Sequence, residues 1–467
     1  MAALRMPKDN SLDATKLKPH SKNSLNIAVV LFDSQSHSNA KRQFQSTYPY
    51  LLKDPNTFLF DGQSIVGDGT SPQLFAMLAN LTEQDAEYAR TLPGQKGTVD
   101  QRRFIFEDFK DAGYVTGFSE DDYMLGGFNW RYRGFKNPPT HKYMRPFWTK
   151  AYRTLIRTKN TCPHQYSLRY LRRFMEAFKD ERKFIFLNNS PLGHFQNTLI
   201  GLADKDVREM YKYLEQKGFL ENTVVIFFGD HGNRAGPYRQ TWIGRLELRL
   251  PFLSITLPSW FKSLYPDFYE NMLANTKVLT TYFDLYATLR HLMDLTSKST
   301  EHGFGRSLFT KIEPWKRSCE SAGVPDHYCP CLSYESQNIT DTVVKSIAQK
   351  LVEFMNNQLL SVTEVANNCT HLTLKNIVKA GMRNLPKLRD SAARSFVYEH
   401  VIEVSPSGGL FEATSTVTMA TDNKAIFSFR TERSSISRIN MYRNQPDCIA
   451  RTYPHFRDYC YCNELLT

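Results

Sequence analysis

The residues of this chain that could do chemistry centre on the segment 224–232, which reads VVIFFGDHG. Its five leading apolar residues, rich in β-branched and aromatic side chains, predict a fully buried strand. Asp230 and His231 follow that run almost at once. Open α/β sheets bind ligands beyond the carboxyl ends of their strands, and an acid beside an imidazole is a typical pair of metal ligands. The motif therefore predicts part of a metal site.

Two more apolar runs lead to side chains of the same kind. Asp33 follows the run IAVVLF, and His194 comes a few residues after the run FIFL. If these strands are parallel neighbours, their ends meet at one edge of a sheet. The set of Asp33, Asp230 and His231 suits zinc or a similar divalent ion, and it leaves a coordination position for a nucleophile or water.

Thr70, in the segment IVGDGTSPQLFAML, is the candidate nucleophile. Gly67 and Gly69 allow a tight turn before it, and a helix predicted from about residue 71 to 81 supplies free N–H groups for an anionic ester. A metal-bound hydroxyl can lose its proton near neutral pH, because the cation favours the alkoxide. The alternative is an ordinary threonine at the N-cap of a helix.

Strands and helices alternate through the region that must position these residues. The predicted strands cover 27–32, 114–118, 184–187, 224–228 and 252–257. The predicted helices cover 71–81, 165–179, 204–217 and a stretch after Thr281, which lies three residues before Asp284 as in a capping box. This alternation predicts βαβ units, and so an α/β fold with a mainly parallel central sheet flanked by helices.

The last third of the chain has a different pattern. A helical stretch over 341–360 precedes four segments of alternating polarity from about residue 396, which predict an antiparallel sheet. Seven of the eight cysteines lie here, and the pairs CPC and CYC are spaced more closely than zinc ligands usually are. This favours disulfides over a structural zinc, with reduced thiols as the alternative. We predict a disordered polar tail over 1–24, a catalytic α/β domain over 25–318 and a cysteine-rich region over 319–467.

Composition restricts the partners. The chain carries 59 Lys and Arg against 47 Asp and Glu, a net charge of +12, which favours anionic partners such as phosphate esters, sulfate esters, acidic glycans or nucleic acid. Of these, we expect an anionic ester substrate. The arginine-rich run YSLRYLRRFMEAF has apolar residues at helical spacing, so its arginines are expected on the solvent face of a helix rather than in a polyanion groove. Neither a zinc-finger spacing nor an RNA-recognition motif is present, so nucleic acid is not an expected partner. Nothing in the sequence indicates an oligomeric state.

The sequence gives two opposing indications of location. No apolar run approaches the roughly 20 residues of a membrane span, and the amino terminus has no apolar signal region. Its cysteines and four Asn-x-Ser/Thr sequons nevertheless favour the secretory pathway or the extracellular space. The sequons begin at Asn80, Asn188, Asn338 and Asn368.

These motifs together resemble the alkaline phosphatase superfamily, and its sulfatase-like branch in particular. The resemblance rests on DxxS beginning at Asp33, the glycine-flanked Thr70 about forty residues later, and GDHG at 229–232. Longer segments, including VGDGTSPQLFAML, DHGNRAGPYRQTWIGRLELRLPF and CESAGVPDHYCPC, resemble an uncharacterised sulfatase-like family found in animals and expanded in nematodes. The resemblance covers about residues 25–331, and the rest more loosely.

The resemblance implies one metal held by four residues, with the threonine among them forming a covalent intermediate that water or an acceptor alcohol resolves. The four are Asp33, Thr70, Asp230 and His231. Three arginines just past the ligands would then bind the non-bridging oxygens of the ester, unless they are surface arginines. They are Arg234, Arg239 and Arg245.

Two departures from the family pattern affect the expected chemistry. Type I sulfatases mature a Cys or Ser within C-x-P-x-R to formylglycine, whereas this chain has Thr70 and, in place of the arginine, Leu74. Two-metal members place an Asp four residues before a His and add a distant His. This chain has Ser190 four residues before His194, with His302 as the possible distant ligand. We therefore expect one firmly bound metal, and at most a weaker second site at the two histidines.

The function predicted from the sequence is a metal-dependent hydrolase or transferase of phosphate esters that uses the Thr70 hydroxyl as nucleophile. A sulfuric ester hydrolase that works without formylglycine is the alternative within enzymes. The alternative outside enzymes is a secreted, catalytically silent binding protein that has kept the fold, because Ser190 replaces an expected acid.

Overall fold

The structure is a computed structural model, and it describes residues 24–466 except 83, 86–97, 125, 152–161, 195, 235, 386–393 and 420–425. The described residues form two compact units. The first takes in those of 24–233 and 244–324, and the second takes in those of 234–243 and 325–466.

The helices and strands are numbered in chain order. The helices are α1 His37–Gln43, α2 Thr47–Lys53, α3 Thr70–Ala79, α4 Ile105–Asp111, α5 Arg145–Ala151, α6 Pro163–Ala177, α7 Asp204–Gln216, α8 Trp242–Arg249, α9 Phe261–Leu264, α10 Pro266–Asn275, α11 Tyr282–Met293, α12 Thr342–Leu360 and α13 Thr363–Asn368. The strands are β1 Asn26–Phe32, β2 Thr57–Leu59, β3 Gln63–Ser64, β4 Val115–Glu120, β5 Lys142–Tyr143, β6 Lys183–Asn189, β7 Thr223–Phe228, β8 Leu253–Thr256, β9 Thr280–Thr281, β10 Glu301–His302, β11 Gly305–Arg306, β12 Glu335–Ser336, β13 Thr373–Asn384, β14 Arg394–Ser405, β15 Gly409–Met419, β16 Ile426–Arg430 and β17 Ile436–Arg438.

A seven-stranded sheet organises the first unit, in the order β2-β8-β7-β1-β6-β4-β5. The five strands from β7 to β5 are parallel to their neighbours, whereas β8 runs antiparallel to β7 and β2 antiparallel to β8. The predicted mainly parallel α/β fold is confirmed. The strands β1, β6 and β7 therefore end at the same edge of the sheet, as the ligand arrangement requires.

The central strands are buried on both faces, and this explains their continuous apolar sequences. All seven residues of β1 are buried, as are all six of β7. On one face, alternate residues of β1 pack against the apolar faces of α6 and α7. These helices contribute Leu168, Leu171, Phe174 and Met175 from α6 and Val207, Met210, Tyr211 and Leu214 from α7. The arginines of α6 therefore belong to an amphipathic helix, as predicted from the spacing.

The second unit contains the expected antiparallel sheet, in the order β12-β13-β14-β15-β16, with β17 paired to β15. The helix α12 begins after Asp341, whose side chain accepts hydrogen bonds from two backbone N–H groups of its first turn. The strand β13 was not predicted, because its sequence TLKNIVKAGMRN alternates poorly and most of its residues are exposed or half-buried.

Disulfides tie the end of the second unit together. Cys369 is bonded to Cys460, and Cys448 is bonded to Cys462. Cys319 and Cys329 are also disulfide-bonded, whereas Cys162 and Cys331 are free. The preference for disulfides over structural zinc is thus confirmed for six of the eight cysteines. Among the described residues, no helix is both long and apolar enough to cross a membrane.

Candidate metal and nucleophile site

Three of the predicted ligands meet at the carboxyl edge of the parallel sheet. One ligand atom from each of Asp33, Asp230 and His231 lies within 4.8 Å of the other two. Asp33 follows β1 directly, and the other two follow β7, the strand beside it. All three side chains are buried, with 2% exposure or less. Such a cluster of two acids and an imidazole matches the donor set expected from the sequence.

Backbone hydrogen bonds hold these side chains in place. Asp230 Oδ1 accepts from the N–H groups of Ser34 and His231, each at 2.9 Å. The other oxygen, Oδ2, meets no hydrogen-bond donor among the described residues. His231 Nδ1 lies 2.7 Å from the carbonyl oxygen of Gly232, so we assign the ring proton to Nδ1. Nε2 faces Asp230 Oδ2 at 3.3 Å and Asp33 Oδ1 at 3.8 Å.

The electrostatics of the site fit a cation. Burial raises the pKa of Asp230, and the neighbouring Asp33 carboxylate raises it further despite the opposing effect of His231. For Asp33, burial also raises the pKa, but His194 and His231 together outweigh it, so the net pKa is lowered. Two buried carboxylates that lie this close to one another repel each other when both are ionised. A divalent ion would relieve that repulsion.

Thr70 lies at this cluster. Its hydroxyl forms a hydrogen bond that lowers the pKa of Asp230. The helix α3 begins at Thr70, with Gly69 as its N-cap at φ 78°, a value that favours glycine. Thr70 is therefore the first residue of the helix rather than its cap, one residue earlier than the predicted start. In the same turn, Gln73 Nε2 donates to the carbonyl oxygens of Gly67 and Gly69, which fixes the loop before the hydroxyl.

His194 contacts the first ligand of the cluster. Its Nδ1 lies 3.1 Å from Asp33 Oδ2, and 32% of its side chain is exposed. Ser190, at the position where two-metal members of the superfamily that the sequence resembles have an acid, is buried, and its N–H donates to Asp121 Oδ1 at 2.8 Å. The carboxylate absent from residue 190 is thus matched by one that arrives from β4, the strand beside β6.

Sequence reasoning missed the acids at the end of β4. Glu120 and Asp121 are both buried, and burial raises the pKa of Glu120 to about 7. Burial likewise raises the pKa of Asp121 well above its usual range, with smaller contributions from neighbouring acids. The signal was present, since the predicted strand over 114–118 leads directly into three acids in the sequence SEDD. This is the same pattern that identified Asp33.

His302 lies elsewhere in the first unit. Its ring is 5.8 Å from that of Tyr286 on α11. The next residue, Gly303, closely approaches Asn80, which is the C-cap of α3. Thr70 begins that ten-residue helix, so about 15 Å of helix separates the two ends. The structure therefore does not bring His302 together with His194, and the pair expected for a second metal does not form.

The three arginines are distributed between the two units. Arg239 belongs to the second unit, where its Nη2 donates to Glu412 Oε2 at 2.7 Å and both side chains are buried. That placement differs from the expected role in binding an ester, because the guanidinium is already neutralised. Arg234 also belongs to the second unit. Arg245 belongs to the first, where it is buried on α8.

Residues of the aromatic segment 123–135 pack against the turn that carries Thr70. A Cβ at Gly127 would lie 3.4 Å from Thr70 Cγ2, and Ser71 Oγ donates to the carbonyl oxygen of Gly127. Arg131 pairs with Asp68 at 3.2 Å. Gly127 of this segment therefore borders the candidate nucleophile.

Both glycines of the GDHG motif are required by close backbone contacts. A Cβ at Gly229 would lie 2.1 Å from the carbonyl oxygen of Gln35. A Cβ at Gly232 would lie 2.0 Å from the carbonyl oxygen of Glu247. No side chain fits at either position without moving the backbone, so these glycines fix the strand end that carries the two ligands.

Comparisons with known proteins give a family and distant structural likenesses. The C-terminal periplasmic domain of EcEptC from Escherichia coli is 14% identical, with a TM-score of 0.42, covering 64% of this chain and 93% of that one. The lipoteichoic acid synthase LtaP from Listeria monocytogenes is 12% identical, with a TM-score of 0.39, covering 63% and 78%. A protein in the alkaline phosphatase superfamily from Vibrio parahaemolyticus is 10% identical, with a TM-score of 0.41, covering 98% and 95%.

At such low identity these structures are distant likenesses of the fold. No curated protein matches the chain. A model of the family described as protein of unknown function (DUF229) matches residues 2–378, which is most of the 467 residues. The resemblance to an uncharacterised family is thereby confirmed, and the chain belongs to the DUF229 family.

Proposed function

We propose that this protein is a metal-dependent hydrolase or transferase of phosphate esters, with Thr70 as its nucleophile. One observation carries the proposal. One ligand atom from each of Asp33, Asp230 and His231 lies within 4.8 Å of the other two, and the Thr70 hydroxyl forms a hydrogen bond to Asp230 in the same cluster. A zinc ion or a similar divalent ion would supply Lewis-acid activation of the threonine hydroxyl and of the ester oxygen.

The chain's own residues supply the rest of the reaction. Thr70 Oγ1 passes its proton to solvent and attacks phosphorus, the bond to the alcohol oxygen breaks, and the alcohol leaves with a proton from solvent. The product on the protein is a phosphothreonine. Water gives hydrolysis when its oxygen attacks that phosphorus and Thr70 Oγ1 leaves, and an acceptor alcohol gives transfer by the same step.

The alternative of a silent binding protein is supported by Ser190, which lacks the carboxylate of two-metal relatives. Against it stands Asp121, whose carboxylate contacts the Ser190 N–H.

We propose that the chain works in an oxidising compartment, because six of its cysteines are disulfide-bonded. Asn188 does not support this proposal, since it is buried in β6 and donates to Glu120. Asn338 and Asn368 are exposed sequons.

The test compares Thr70→Ala with Thr70→Ser on aryl phosphate, phosphodiester and aryl sulfate substrates, alongside metal analysis of each purified protein. We expect the alanine variant to lose turnover of a phosphate substrate by about 10³-fold or more, because it has no nucleophile. The serine variant keeps a hydroxyl and is expected to retain turnover. An unmodified chain that binds no divalent metal, or an alanine variant as active as the unmodified chain, would overturn the proposal. Faster turnover of the sulfate than of the phosphates would favour the sulfuric ester alternative.

A further inference from the structure

An open cavity with a mixed polar and apolar lining lies in the first unit, at the end of the segment 123–135. Its volume is about 570 Å³. The residues whose polar or aromatic groups form its walls come from the end of that segment, from β5 and from α5. They include Phe135, Lys136, Tyr143, Arg145, Thr149 and Lys150.

The walls of this cavity carry positive charge. Lys136, Arg145 and Lys150 contribute three cations, and no carboxylate belongs to the lining. Among the residues that the structure describes, neither Lys136 nor Arg145 forms an ion pair. Arg145 Nη1 donates to the carbonyl oxygen of Tyr123, which leaves donors of the guanidinium for a ligand. The nearby Asp100 carboxylate accepts instead from two backbone N–H groups, those of Lys136 and the residue after it.

Tyr143 contributes its ring to the same wall. The ring is stacked on Phe118, with centroids 5.5 Å apart and planes 8° apart. The hydroxyl is buried, so a ligand in the cavity does not reach it. Two cations without ion pairs, in a lining that holds no carboxylate, fit a tetrahedral oxyanion.

The cavity opens at the same edge of the sheet as the metal site. Arg145 follows the carboxyl end of β5, just as Asp33 follows that of β1. The order β1-β6-β4-β5 separates the two ends by three strand spacings, or about 14 Å. Between the two ends, Glu120 at the end of β4 accepts from the Gly127 N–H, and Gly127 borders Thr70.

We propose that this cavity binds a second anionic group of the substrate. On this view the substrate is an extended molecule that carries at least two phosphate or sulfate groups. One ester reacts at Thr70, and another anionic group, about 14 Å away, is held by Lys136 and Arg145. This inference rests on the proposed function for the identity of the reacting ester, and the binding itself does not depend on turnover.

Direct binding tests the inference without catalysis. The Thr70→Ala protein is titrated into two fluorescent hexasaccharides, one sulfated and one phosphorylated to the same charge. Adding Lys136→Gln and Arg145→Gln is expected to weaken binding of at least one probe about tenfold or more, because two charge-assisted contacts are lost. The matched control is Lys217→Gln, an exposed lysine at the end of α7 that precedes β7 and so lies at the opposite edge of the sheet.

The probe that loses affinity identifies the anion. Equal affinity of the double variant and the Lys217→Gln control for both probes would overturn the inference. Because Arg145 also contacts the Tyr123 carbonyl, Lys136→Gln alone is measured as well, with an expected loss of about threefold. A Lys136→Gln variant that binds both probes like the control would also count against the inference.

Steady-state kinetics separate this inference from the proposed function. With Thr70 intact, the double variant should raise KM for the charged hexasaccharide and leave kcat unchanged, because binding remote from the reacting ester is lost. Turnover of a small aryl phosphate should not change. Turnover without any effect of the variant on KM would contradict the inference alone. Variant-sensitive binding without any Thr70-dependent turnover would contradict the proposed function alone.

Discussion

Each of the two large sheets buries a titratable side chain, and the two side chains have opposite shifts in pKa. Glu120, at the carboxyl end of β4 in the first unit, has a pKa raised by burial to about 7. His400, in the middle of β14 in the second unit, has a pKa lowered by burial to about 4. The positions of the two groups along their strands account for what surrounds them.

The strand end surrounds Glu120 with polar groups. Its carboxylate accepts from the Gly127 N–H and from the side-chain amides of Asn188 and Asn129. Within the second unit, His400 is fully buried, and its neighbours on either side along the strand, Glu399 and Val401, are also buried. Burial at a strand end is thus accompanied by a hydrogen-bonded network beside the candidate site, whereas burial in mid-strand reflects packing of the sheet. The comparison teaches that burial of a titratable side chain does not by itself indicate a functional site. Its hydrogen-bond partners are the more informative feature.

The largest expected effect concerns the disulfides of the second unit. Cys369 and Cys460 are 91 residues apart and Cys448 and Cys462 are 14 apart. Loop-closure entropy predicts that replacing the first pair with alanine lowers the free energy of unfolding by about 4–5 kcal/mol, and the second pair by about 3 kcal/mol. Chemical denaturation of the two double variants, followed by a probe in the second unit, measures this order. A larger loss from the shorter loop would contradict it.

The next effect concerns Glu120. Its folded-state pKa lies above the ordinary value of 4.5, so the stability it contributes is full below about pH 4.5 and is lost as the pH rises through about 7. Glu120→Gln removes this dependence, which amounts to up to about 3 kcal/mol. Denaturation of the variant and the unmodified chain between pH 4 and 8 measures the difference. A constant difference in stability across that range would contradict the pKa assigned to Glu120.

His400 gives the opposite dependence. Its folded-state pKa lies below the ordinary value of 6.5, so its contribution is full above about pH 6.5 and is lost as the pH falls through about 4. His400→Phe should flatten the loss of stability of the second unit in acid, by up to about 3 kcal/mol. Thermal unfolding from pH 3.5 to 7.5 measures it, with Glu120→Gln as the control. Parallel pH profiles for the two variants would remove the distinction between the sheets.

The sequence was sufficient to predict the central strands and the meeting of Asp33, Asp230 and His231, because both depend on local patterns. An apolar run followed by an acid identifies Asp33 and Asp230 wherever the strands are parallel neighbours. The partner of Ser190 could not be predicted, because the Asp121 contact joins two strands whose order in the sheet is set by packing. The distance between His194 and His302 could not be predicted either, since residue types do not determine separations in space. Strand β13 was missed because its exposed lysines and asparagines obscure the period of two.

The close contacts at Gly229 and Gly232 have a consequence for comparing relatives of this chain. Within GDHG, the acid and the imidazole are constrained by their chemistry. The two glycines are constrained by space, because at each of them a Cβ would lie about 2 Å from a carbonyl oxygen. A relative that keeps Asp and His but has alanine at either glycine position would carry the same two side chains on a displaced backbone. An alignment that requires all four positions of the motif therefore separates relatives able to assemble the cluster from those that have only its acid and imidazole.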